Sequence, residues 1–175
     1  MCSRKLEIVS LPDEILGRIF QKLPVEERGL LAPVSRQFQR VAEDPYYWLY
    51  MTVAGCKGST QQVCRVLRRA SFLRRLEIQD RSDANDLLAC VAKHARNLNS
   101  LTMLRCRGYP GQKRPSLKAE LVCRVLRRCG RLRRLVSEGH KLLGRNVLQE
   151  VLSRALSGAL KSGNVQCAVR VSDLL

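Results

Sequence analysis

Sixteen residues, VCRVLRRASFLRRLEI from Val63, return almost unchanged as VCRVLRRCGRLRRLVS from Val122. Self-similarity of this kind constrains the fold more than any single motif, because a unit too small to hide its own apolar face must stack against its neighbours. Between the two copies, LACVAKHARNLNSLTM from Leu88 fits the same template more loosely. Apolar residues fall at i, i+3, i+4 and i+7 in each: Val63, Val66, Leu67, Ala70; Leu88, Val91, Ala92, Ala95; and Val122, Val125, Leu126, Cys129. A fourth set occupies Leu148, Val151, Leu152 and Ala155. That spacing predicts four amphipathic helices, whose starts lie 25, 34 and 26 residues apart. After each of the first three comes Leu-x-x-Leu-x-apolar, a short strand signal: Leu73, Leu76, Ile78; Leu98, Leu101, Met103, with Cys106 three on; and Leu132, Leu135, with Ser137 in the last slot.

One helix and one short strand about every 25 residues resembles the leucine-rich repeat, in its cysteine-containing variety. The resemblance implies an α/β solenoid of three to four units, with parallel strands on the inner curve and helices outside. The alternative is a helical bundle with coincidental leucine spacing. The fourth unit is degenerate, with a strand expected at Cys167–Val171. Side chains directed away from the helices on the inner face are Arg75, Glu77, Gln79, Ser100, Thr102, Leu104, Arg134, Val136 and Glu138. These are the expected contacts for a protein target. The nine extra residues before the third helix fall in RCRGYPGQKRPS, a basic loop by its Gly108, Pro110, Gly111 and Pro115 and its Arg105, Arg107, Lys113 and Arg114.

The first fifty residues follow a different pattern. Leu11, Ile15, Leu16, Ile19, Phe20 and Leu23 line one side of a helix. Ser10 is placed to cap it, Pro12 suits its first turn, and Pro24 ends it. A short helix over Val25–Leu31 would carry Glu26 and Glu27 in its first turn. Pro33 separates it from a third over Val34–Ala42, and Asp44-Pro45-Tyr46-Tyr47-Trp48 forms a turn holding the single tryptophan.

This order of residues resembles the F-box. The matching positions are Leu11, Pro12, Glu14, Ile15, Leu16, Ile19, Phe20, Leu23, Val34, Ser35, Arg36, Phe38, Ala42, Asp44, Pro45 and Trp48. Phe38 stands where the family most often has tryptophan, which keeps an aromatic but removes an indole N–H. The resemblance implies an F-box domain over residues 8–53, a linker over 54–58 and repeats over 59–175. It implies a substrate receptor of a Skp-cullin-F-box ubiquitin ligase, docking a Skp-family adaptor and through it a cullin scaffold. The adaptor contacts carried over are Leu11, Pro12, Ile15, Leu16, Ile19, Phe20, Leu23, Pro24, Val34, Phe38 and Trp48. Physics points the same way, since forty residues cannot cover all these large side chains themselves.

Charge separates the two parts. The chain carries a formal +17; up to Val53 seven basic residues balance seven acidic ones, so the whole excess belongs to the second part. Arg65, Arg68, Arg69, Arg124, Arg127 and Arg128 fall on outer helix faces, with Arg74 and Arg133 near the rim. Such a surface attracts acidic proteins or nucleic acid, but with Phe72 and Tyr109 as the array's only stacking aromatics, nucleic acid is the minority reading. A regulatory protein that occupies the adaptor without a substrate is a further alternative. Eight cysteines contain no CxxC pair, so thiols packed as small hydrophobes are expected, with no metal or cofactor. His94 and His140 have no nucleophile or phosphate loop near them in sequence, and the chain reads as non-catalytic. No apolar run suits a signal peptide or a membrane span, so a soluble protein of the cytoplasm or nucleus is expected.

Overall fold

The computed structural model describes residues 8–55, 58–111, 113, 116–139, 141–143 and 166–169. The fourth apolar set at Leu148–Ala155, His140, Cys2, and Cys56 and Lys57 of the expected linker lie outside them. A short 3-10 turn over Ile8–Ser10 leads into helices α1 (Asp13–Lys22), α2 (Val25–Arg28) and α3 (Arg36–Glu43), then a 3-10 turn over Pro45–Trp48. Ser10 belongs to the preceding turn and does not cap α1; Pro12 sits at the cap position without a side-chain hydrogen bond. Asp13 and Glu14 at its start and Lys22 at its end suit the helix dipole. The second helix is one turn long, stopping at Arg28 rather than Leu31. The third begins two residues later than its apolar pattern suggests, because the Ser35 hydroxyl accepts the Phe38 N–H at 3.1 Å and sets the cap there.

Leu16, Phe20, Phe38 and Val41 form a small core between α1 and α3. The Phe20 and Phe38 rings meet edge to face at 5.1 Å. Gly17 is required on α1 because the Tyr47 ring lies where a β-carbon would stand.

The rest of the chain alternates strand and helix: β1 (Tyr50–Ala54), α4 (Thr60–Arg69), β2 (Arg75–Gln79), α5 (Ala84–His94), β3 (Ser100–Leu104), β4 (Ser116–Lys118), α6 (Ala119–Arg128), β5 (Arg134–Glu138), β6 (Lys141–Leu143) and β7 (Gln166–Val169). The fold is therefore mixed α/β, with helices first and a parallel sheet of order β1-β2-β3-β5-β7 after them. A separate parallel pair joins β4 to β6, so the basic insertion ends in a strand and its Ser116 is buried. Strand β1 consists of Tyr50–Val53, which sequence places at the end of the first module, and Ala54 of the expected linker.

In register across the sheet, Met51, Leu76, Leu101 and Leu135 form one row, and Val53, Ile78, Met103 and Ser137 the next. Both rows are buried against the inner faces of α4, α5 and α6. Backbone geometry repeats with them. The residue after each of β1, β2, β3 and β5 is left-handed: Gly55 (φ 66°), Asp80 (φ 50°), Arg105 (φ 48°) and Gly139 (φ 76°). Before β1, β2 and β3 a carbonyl accepts two N–H groups from the next unit: Leu49 from Arg74 and Arg75, Arg74 from Asn99 and Ser100, Asn99 from Arg133 and Arg134.

One buried ion pair ties the loops at the other end of the strands. Arg81 bonds Asp83 at 2.6 Å and donates to the Gly55 and Gly58 carbonyls at 3.1 Å, while Asp83 also accepts the Thr60 hydroxyl. Burial alone would raise the Asp83 carboxyl, but Arg81 and Thr60 outweigh it and hold it below its ordinary value. Arg81→Met leaves that carboxylate buried and unpaired, and we expect a loss of about 3–5 kcal/mol in urea unfolding at neutral pH. Because the folded carboxyl binds its proton less readily than the unfolded one, its contribution stands in full above about pH 4 and disappears as pH falls through the depressed folded value. An acid titration of stability should therefore be shallower in Asp83→Asn than in the natural chain.

Candidate functional site

The residues expected to meet an adaptor divide by the side of α1 on which they fall. Leu16, Phe20 and Phe38 point inward and are fully or almost fully buried, so they hold the helix in place and offer no surface to a partner. Leu11 and Leu23 are half-buried against the same core. Ile15 and Ile19, one turn apart, face outward with 42% and 38% of their surface exposed. Val34 is 64% exposed, and so is Leu30, at 70%, which sequence reading did not single out. Leu30 lies in the turn after α2, where the expected helix would have made it one more residue of a periodic face. Pro12 is exposed and Pro24 half-buried.

Trp48 is half-buried and tied to both parts of the chain. Its indole N–H donates to the Ala42 carbonyl at 2.6 Å, and its ring packs on the core of the strand-helix units. Arg28 lies across that ring with its guanidinium 5.6 Å from the centroid. The Arg28 side chain is buried and is satisfied by carbonyls at the carboxyl end of α1, with Nε donating to Leu23 at 3.0 Å and a terminal nitrogen to Gln21. Burial lowers its proton affinity, and the negative end of the helix dipole offsets part of that cost. Sequence reading missed Arg28, since a lone arginine after two glutamates resembles a solvated helix residue.

On the opposite face of the sheet from the helices, the expected target contacts come together in rows: Arg75, Ser100 and Arg134; Glu77, Thr102 and Val136; Gln79, Leu104 and Glu138. All but Gln79 and Glu138 line a groove of about 820 Å³. Strand β1 adds Tyr50 and Thr52 to it, and the rim adds Arg74 and Asn99. The alternation of Met51 and Val53 with polar or aromatic neighbours was the available signal for β1.

The remaining candidates are structural. Arg105 of the basic insertion makes a two-pronged pair with Asp80, at 2.7 Å on each prong, joining the two non-glycine left-handed positions. That hydrogen-bonded pairing lowers the Asp80 carboxyl below its ordinary value. Cys106 is buried, directs its thiol at the Ile78 and Leu104 carbonyls at 3.3 Å, and is pushed up to about 11 by burial. Cys64 is pushed up to about 12, by burial first and then by Cys90. Thiols so disfavoured as thiolates are poor nucleophiles.

Residues 8–53 match the F-box-like family model. The match covers the three helices, the tryptophan turn and most of β1, so the amino-terminal module is F-box-like in sequence as well as helical in structure. No curated protein matches the chain.

The two sides of α1 should respond differently to truncation in the isolated protein. Leu16→Ala removes a fully buried side chain and should cost about 2–5 kcal/mol, whereas Ile19→Ala on the exposed side should stay within roughly 0.5–1 kcal/mol. Denaturant midpoints at unchanged slope check both.

Proposed function

We propose that the protein is the substrate-recognition subunit of a Skp-cullin-F-box ubiquitin ligase, binding a Skp-family adaptor through Ile15, Ile19 and the neighbouring apolar surface of residues 8–53. The observation that carries this reading is the outward pair Ile15 and Ile19 on a helix whose other side is already filled, within a segment matching the F-box-like model. Apolar side chains of that size left in water gain about 1.5–3 kcal/mol each when a partner covers them. Ordering and lost rigid-body freedom offset much of the sum.

The strand-helix units are leucine-rich repeats in this reading, supported by the in-register leucine rows, the helices on one side of the sheet, and the left-handed residue that follows β1, β2, β3 and β5. The docking module spans residues 8–53 and the repeats 59–175, with β1 as the strand that joins them. A target held in the groove is brought to a conjugating enzyme carried elsewhere on the cullin, and proximity raises the effective concentration of its lysines. The protein contributes binding and placement without bond chemistry, and works in the cytoplasm or nucleus. A purely regulatory role is less well supported because the array presents a groove of target size.

Ile15→Asp with Ile19→Asp should abolish recovery of the adaptor in co-purification while leaving the circular dichroism spectrum unchanged. Leu16 is unsuitable for this test, because aspartate there would sit in the core. Full recovery of the adaptor by the double variant would refute the docking assignment.

A further inference from the structure

The groove over the strands is unevenly charged. Arg74, Arg75 and Arg134 gather where the strands begin, against one carboxylate, Glu77, among the described lining residues. Glu77 is itself engaged by the Gln79 amide at 2.5 Å. None of the three arginines forms an ion pair with a described residue. Register places Ser100 between Arg75 and Arg134, so the two guanidinium groups issue from positions two strand spacings apart, about 10 Å, with a hydroxyl between them. Arg75 is braced over the Tyr50 ring at 5.3 Å, which limits its freedom before any ligand arrives.

The chemistry of this end selects anions. Arginine presents a planar fork that pairs two-pronged with carboxylate or phosphate, and here the forks lack an internal acid to satisfy them. Positive charge continues beyond the groove: RRASFLRR over 68–75 and RRCGRLRR over 127–134 contain no carboxylate. A space of about 820 Å³ holds a few residues of extended chain. Single-stranded nucleic acid needs stacking platforms, and Tyr50 is already covered by Arg75. Leu104 and Val136 supply apolar contacts beside the charged end, which suits a polypeptide of mixed composition.

We infer that the groove takes an extended anionic stretch of a protein target, with its carboxylate or phosphate groups seated over Ser100 between Arg75 and Arg134. The inference rests on the receptor reading for its biological meaning, but the binding itself is independent of the adaptor.

Fluorescence anisotropy on the full chain tests it with three labelled peptides of one sequence, carrying glutamate, phosphoserine or glutamine at the same positions. The glutamate or phosphoserine peptide should bind at least about tenfold more tightly than the glutamine peptide, with affinity falling as salt rises. Preference between the first two identifies carboxylate or phosphate as the recognised group. Arg75→Glu with Arg134→Glu should weaken binding by about tenfold or more at an unchanged melting temperature, while Arg124→Glu on the outer helix face should leave it intact. Equal binding of the glutamine peptide, undiminished binding by the double variant, or displacement of the peptide by duplex DNA in an Arg75-dependent manner would each overturn the inference. Adaptor recovery measured on the natural chain separates the two readings: adaptor bound without selectivity for the anionic peptides sinks the anionic inference alone, and peptide selectivity without adaptor sinks the receptor reading alone.

Discussion

Everything in the second part of the chain depends on leucines that no single unit can cover. Leu76 on its own strand would have water on both sides; between Met51 and Leu101 it has neighbours in the sheet, and Leu67 and Leu88 belong to the same buried cluster. Burying such a side chain is worth about 1.5–3 kcal/mol, so each unit is stabilised chiefly by the ones beside it. That requirement also explains the backbone. The rows of β1, β2, β3 and β5 keep one register and end in one kind of turn, and the left-handed residue recurs there even where it is Asp80 or Arg105 rather than glycine. The bonded pair between those two side chains accompanies the less favoured conformation.

A second constraint operates where the two parts meet. A buried arginine without a carboxylate is expensive unless its donors are satisfied, and Arg28 finds carbonyls at the end of α1 together with the face of Trp48. Trp48 in turn belongs to the core of the strand-helix units and bonds Ala42 at the end of the helical module. Three elements far apart in sequence are thereby held by two side chains. The first strand follows directly, so the helical module and the sheet share residues instead of being joined by a tether.

Much of this was legible because periodicity survives translation into structure. The 3.6 spacing at Val63, Leu88 and Val122 and the Leu-x-x-Leu steps after them correspond to α4, α5, α6 and the strands that follow. The F-box resemblance was readable from ordered residue types, and residues 8–53 match that family model. What escaped notice required knowledge of contacts. Strand β1 was hidden inside the helical motif because its five residues carry only two inward positions, Met51 and Val53. Arg28, Arg81 and Asp83 look like surface charges until partners distant in sequence enclose them. The inward and outward sides of α1 were merged, since a list of motif positions does not say that Leu16 and Phe20 are consumed by Phe38.

Sharing of β1 has a mechanical consequence. In the proposed receptor role, a target lodged against Tyr50 and Thr52 would rest on residues two and four positions from Trp48, whose ring is clasped by Arg28 at the end of α2. Only Leu49 separates the tryptophan turn from β1, so the two surfaces share continuous backbone. In that role a lysine on such a cargo is delivered along one bearing, and proteins whose lysines lie off that line would be gripped yet left unmarked.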